Sequence, residues 1–122
     1  MGRFEQALTY HERSREFEEQ TQNPRGQGIA LVHLGDTARA LRQFDQARQY
    51  YERGLALTRR DNDQIGLART LERIGDLSFE EGRQEAANRH WSEALKIREA
   101  LHHSDEAGSL RERLRSGLPR RR

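Results

Sequence analysis

The sequence predicts an all-α chain, a solenoid of antiparallel helix pairs with about six helices. Three observations predict it. The chain resembles itself at a step of 40 residues, its apolar residues recur at the spacing of one helix face, and its two prolines, Pro24 and Pro119, fall outside the helical stretches.

The self-similarity needs no gap. A step of 40 brings Leu31, Leu34, Gly35 and Asp36 onto Leu71, Ile74, Gly75 and Asp76, and Ala47, Tyr50, Tyr51, Leu55 and Leu57 onto Ala87, His90, Trp91, Leu95 and Ile97. The reverse step lays Phe44, Ala47, Tyr50, Glu52 and Arg53 on Phe4, Ala7, Tyr10, Glu12 and Arg13. Gly35 and Gly75 sit inside helical patterns, where glycine costs about 1 kcal/mol relative to alanine. A cost repeated at one phase implies a packing reason, here two backbones in close approach. Ala47 and Ala87 mark the crossing point on the returning helix. Ser14, Gly54 and Ala94 form a third small-residue series, suited to docking the next hairpin.

The elements follow in order. Gly2 to about Gln22 reads as a returning helix, with Phe4, Ala7, Leu8, Tyr10, His11 and Phe17 around its inner face. Its partner would precede Met1, so the half repeat exposes an apolar face suited to self-association. Asn23-Pro24-Arg25-Gly26 is a break. A helix runs from there to about Leu41, and the next from Phe44 to Arg60. Asp61-Asn62-Asp63 is a turn whose last residue caps a helix over Gln64 to Glu81. Gly82 ends it, and Gln84 to about Leu101 forms the fifth helix. Ser104-Asp105 opens the last, in which Gly108, Leu110 and Leu114 continue the first-helix phase and Gly117 marks the end. With Leu114-Arg115 in place of an apolar-glycine pair, it reads as a polar cap. One domain over 1–118 thus divides into a half repeat (2–23), repeats at 24–63 and 64–103, and a capping helix (104–117). Residues 119–122 form a disordered basic tail.

Two motifs in these repeats resemble the tetratricopeptide repeat family. Leu31-x-x-Leu34-Gly35 is followed by Ala47-x-x-x-Tyr51, and Leu71-x-x-Ile74-Gly75 by Ala87-x-x-x-Trp91, with a partial match at Ala7-x-x-x-His11. The family's glycine-aromatic turn appears as Gly2-Arg3-Phe4, while Arg42-Gln43-Phe44 and Gly82-Arg83-Gln84 each keep one signature residue. Nearly the whole chain is covered. Two features depart from the usual pattern: the common repeat has about 34 residues, and the closing proline is replaced by Glu19, Arg59 and Glu99. The extra residues are expected to lengthen the helices. The sequence is similar in this to the long-repeat branch, as in kinesin light chains, polarity adaptors that bind G-protein subunits, and C-terminal sensor arrays of bacterial regulators. HEAT and armadillo repeats, of about 40–47 residues, share the length but not the signatures.

The resemblance implies a right-handed superhelix whose first helices line a concave groove for a peptide or a partner helix. By matched phase the groove positions are Ile29, Val32, His33, Asp36, Arg39 and Ala40, then Arg69, Glu72, Arg73, Asp76, Phe79 and Glu80. The contacts it implies are His33, Asp36, Arg39, Arg69, Arg73 and Asp76, on a frame shaped by Gly35, Gly75, Ala47, Ala87, Tyr51 and Trp91. A carboxylate clamp of the cochaperone type wants lysines and asparagines that are absent here. The competing account of the same charges is a solvated face knitted along each helix, as by Asp36–Arg39 and Arg69–Glu72.

Composition bounds the rest. Hydrophobic residues make up 33% and charged residues 34%, so only their periodicity separates the chain from a disordered one. A net charge of +2 does not mark a general polyanion binder, and the bias to arginine, with Lys96 the only lysine, fits a GC-rich coding sequence. No cysteine is present, which excludes disulfides and thiolate metal sites. No signal region or membrane-length apolar run occurs, so a cytoplasmic location is expected. His11 and His90 fall on aromatic positions, and the adjacent His102 and His103 lack ligands at metal spacing. His33 alone points to the groove, where it would tune binding with pH. No phosphate loop, serine elbow or carboxylate pair suggests catalysis, and no cofactor is expected. The expected partner is a protein or peptide. Behind it stand an oligomerisation segment of a larger regulator and, further back, nucleic-acid binding through Arg111, Arg113, Arg115 and Arg120–Arg122.

Overall fold

The computed structural model describes residues 24–117. They form five helices, with no strand among them: α1 (Pro24–Ala40), α2 (Phe44–Arg60), α3 (Gln64–Glu80), α4 (Gln84–Ala100) and α5 (Ser104–Ser116). The helix expected over 2–22 and the tail over 119–122 lie outside the described residues. Pro24 opens α1 instead of preceding it. Proline suits that position, because a first-turn N–H has no acceptor within the helix, so lacking one costs nothing, and proline's fixed φ is already helical.

Each of α1 to α4 is 17 residues long. Successive helices start at residues 24, 44, 64, 84 and 104, so three-residue turns join them all. Two such helices and two such turns make up the 40-residue step. The turns are alike. Arg42 (φ 60°), Asn62 (φ 56°), Gly82 (φ 77°) and His102 (φ 61°) each hold the left-handed conformation at the middle position. In each, the next residue donates its N–H back into the helix it closes: Gln43 to Ala38, Asp63 to Thr58, Arg83 to Ser78, His103 to Arg98, at 2.8–3.0 Å. This is the Schellman closure. The same four residues accept the first helical bond of the following helix. Asp63 adds its side chain, Oδ1 accepting from Gly66 N at 3.0 Å, as the turn residues predict.

Neighbouring helices are antiparallel, and the chain buries one apolar cluster per hairpin. Leu31, Val32, Leu34, Ala38, Ala47, Tyr50 and Tyr51 form the first, joined by Ile74 and Leu77 of α3. Leu67, Leu71, Ala87, Trp91 and Ala94 form the second, joined by Leu110 of α5. Leu55 touches both. Each hairpin is therefore sealed by the first helix of the next, as a repeat array requires. The first helices α1 and α3 touch, whereas no Cα of α2 lies within 8 Å of α4. The first hairpin therefore meets the second more closely through α1 and α3 than through α2 and α4.

Two packing expectations are corrected. The space over Gly35 and Gly75 is taken by an aromatic ring, not by a second backbone: a Cβ on Gly35 would lie 2.4 Å from Tyr51 Cε1, and one on Gly75 2.4 Å from Trp91 Cδ1. The residue at the end of the Ala-x-x-x-aromatic motif thus lies flat on the glycine of its own hairpin. A Cβ on Gly54 would lie 3.6 Å from Leu31 Cβ and 3.8 Å from Gly28 O, both on α1. At Gly54 the small residue thus brings the two helices of one hairpin together, while the next hairpin is reached through the larger Ile74 and Leu77; Ser14 lies outside the described residues.

Candidate functional site

The polar residues of α1 and α3 are organised around two aspartates. Tyr51 of α2 donates its hydroxyl to Asp36 Oδ1. Arg73 of α3 approaches the same oxygen at 3.2 Å. One step of 40 residues later, Trp91 of α4 donates Nε1–H to Asp76 Oδ1 at 3.0 Å, and Arg113 of α5 stands 3.6 Å away. Each aspartate is a three-way junction: it sits beside the helix glycine, takes the polar handle of the ring covering that glycine, and meets an arginine of the following first helix. Tyrosine and tryptophan bring a donor into the core at the edge of a large apolar ring, which is why either serves.

Burial distinguishes the two junctions. Asp36 is half-buried, while Asp76 is 7% exposed. Burial raises the Asp76 carboxyl above the ordinary range, against the lowering effects of Arg113 and of the Trp91 hydrogen bond. The Tyr51 phenol is raised too, first by burial and then by the Asp36 charge, so it remains a donor throughout the physiological range. His33 occupies the phase of Arg73 and Arg113 and is exposed on α1.

Arg39 crosses from α1 to Glu80 of α3 as a charge-assisted pair. Burial pulls its guanidinium down, but Glu80 and Tyr51 outweigh that and hold it above its usual value. Asp36, Arg39, Ala40, Arg42 and Glu80 line an open depression of about 410 Å³ beside this pair. The structure thus gathers Asp36, Arg39, Arg73 and Asp76 on adjoining first helices, with Arg69 half-buried one turn before Arg73. The pairs expected along single helices are replaced by pairs between helices: Asp36 meets Arg73 and not Arg39, and Glu72 meets Arg98 and not Arg69. Neighbouring helices lie close enough that their side chains desolvate each other, which strengthens a cross-helix pair relative to an exposed i, i+3 pair.

The pair of Glu72 and Arg98 is the feature that sequence reasoning missed. Both are buried, with Nε to Oε2 at 2.8 Å and Nη2 to Oε1 at 3.3 Å. Arg98 also donates through Nη1 to His103 Nδ1 at 2.9 Å, tying α3, α4 and the turn before α5 together. A signal was present: Val32 and Thr58 of the first repeat become Glu72 and Arg98 in the second, two opposite charges arriving at matched phases.

Three of the C-terminal arginines, those among the described residues, are also engaged. Arg111 meets Glu99 at 2.8 Å, Arg113 meets Asp76, and Arg115 meets Glu112 at 2.5 Å. Such pairing weakens the case for a phosphate-binding stripe. Among the described residues no group of three or more side chains could hold a metal ion, and no helix is long and apolar enough to cross a membrane.

A stack of helix hairpins of equal length, joined by identical turns, defines a helical-repeat scaffold. The chain belongs to the tetratricopeptide repeat family, whose model matches residues 1–60 and 27–100. No curated protein matches the chain. Repeats of this family are in general protein-interaction modules and typically non-catalytic.

Proposed function

We propose that the chain holds a peptide or helical segment of a partner protein along the inner face of α1 and α3, as an interaction module of a larger bacterial regulator. The observation that carries this reading is the approach of α1 to α3 while α2 and α4 stay apart, which supports a concave side built from Asp36, Arg39, Ala40 and Glu80. The frame is rigid by construction, so the partner segment would bear most of the ordering cost. His33, Arg69, Arg73 and Asp76 complete the proposed contact set, with Asp76 acting chiefly by holding its neighbours in place. The test is backbone amide shift mapping during titration with a candidate partner. Shifts along α1 and α3 support the reading. Shifts confined to α2 and α4 defeat it.

A further inference from the structure

We propose that the segment held on this face is acidic, and that Arg69, flanked by Ile29 and Ile65, receives its carboxylate. The proposal rests on the inner-face reading above and adds the chemistry of the partner.

The charge balance of the face points this way. Its carboxylates already have cations within the chain: Asp36 has Arg73, Asp76 has Arg113, Glu80 has Arg39 and Glu72 has Arg98. Arg69 is the exception. It lies half-buried on the same stripe of α3, and its side chain makes no ion pair or hydrogen bond among the described residues. A partly desolvated guanidinium offers a planar fork of donors matched to a carboxylate, and gains most where water competes least. A basic segment would instead meet Arg69 and find the nearby carboxylates taken.

Apolar surface accompanies that cation. Ile29 at 42% and Ile65 at 40% are the large hydrophobic residues left exposed among those described. Ile65 precedes Arg69 by one helical turn on the same face. Ile29 is brought alongside by the pairing of α1 with α3: Asp36 meets Arg73 at an offset of 37 residues and Arg39 meets Glu80 at an offset of 41, which sets Ile29 opposite 66–70. A partner with an aliphatic side chain within a few residues of an aspartate or glutamate satisfies both features at once.

Random dodecapeptides displayed on phage, panned on the full chain, test the proposal. Selected sequences should be enriched in Asp or Glu near Ile, Leu or Val. Their affinity should fall about tenfold or more in Arg69→Glu, and by less in Arg69→Gln, with circular dichroism unchanged. Peptides that shift the amides of α1 and α3 but show no acidic bias, or that bind Arg69→Glu unchanged, overturn the proposal and leave the inner-face reading standing. Peptides that shift only α2 or α4 overturn both, as does the failure of any peptide to enrich.

Discussion

At Gly35 the ring of Tyr51 fills the place where a Cβ would stand, while nothing lies within 4 Å of a Cβ added at Gly108. The two helix glycines should therefore respond in opposite directions to one change. Gly35→Ala must push the ring away and is expected to lose about 1–3 kcal/mol. Gly108→Ala only removes backbone freedom in an exposed stretch of α5 and should gain up to about 1 kcal/mol. Denaturant midpoints of the two variants check this. Asp76 yields a pH prediction. Its folded carboxyl lies above its unfolded value of 3.8, mainly through burial. The stabilisation from its protonated form is therefore fully present below about pH 3.8 and lost as pH rises through the elevated value. A carbon-detected titration should show this carboxyl protonating before the exposed carboxylates as the solution is acidified. An Asp76 that titrates with or below them contradicts the prediction.

The helices and turns repeat more strictly than the residues that build them. In the four described turns between helices the left-handed position is filled by glycine at Gly82 and by Arg42, Asn62 and His102 in the others. A side chain there costs roughly 1–2 kcal/mol, offset in part by the entropy that glycine would lose. His102→Gly should thus stabilise the chain by about 0.5–1 kcal/mol. Arg42→Gly should gain less, because Arg42 lies over the Phe44 ring at 5.1 Å. Thermal melts of the pair test whether the turn geometry is shared. Helix positions and the hairpin order were legible in the sequence, since the periodicity and the Asp61-Asn62-Asp63 and Gly82 stops are local signals. What lay over Gly35 was not. A small residue states that something comes close, without stating whether it is a backbone or a ring.

At the scale of the described residues the polar network adds to the apolar clusters in linking one hairpin to the next, through Arg73 on Asp36, Arg39 on Glu80 and Arg113 on Asp76. Asp36 and Asp76 were legible as matched positions because they recur one step of 40 residues apart. Their cross-helix partners were not, since a list of charges at helical spacing suggests neighbours along one helix first. The buried pair of Glu72 and Arg98 makes the sharpest case. Glu72→Ala would strand a buried guanidinium and is expected to cost about 3–5 kcal/mol. Replacing both, Glu72→Leu with Arg98→Met, should be close to neutral, because the first repeat already places Val32 and Thr58 at these positions. Equal losses in the single and double variants would mean that the pair contributes net stability of its own.

The common beat of the helix starts makes residues 64–103 a cassette. Spliced in tandem ahead of Ser104, a second copy would bring its own counterpart of Arg73 to Asp76 and its own counterpart of Asp76 to Arg113. The joint is electrically matched at both seams. The lengthened rod should melt at a higher temperature than its parent, as nearest-neighbour stacking requires.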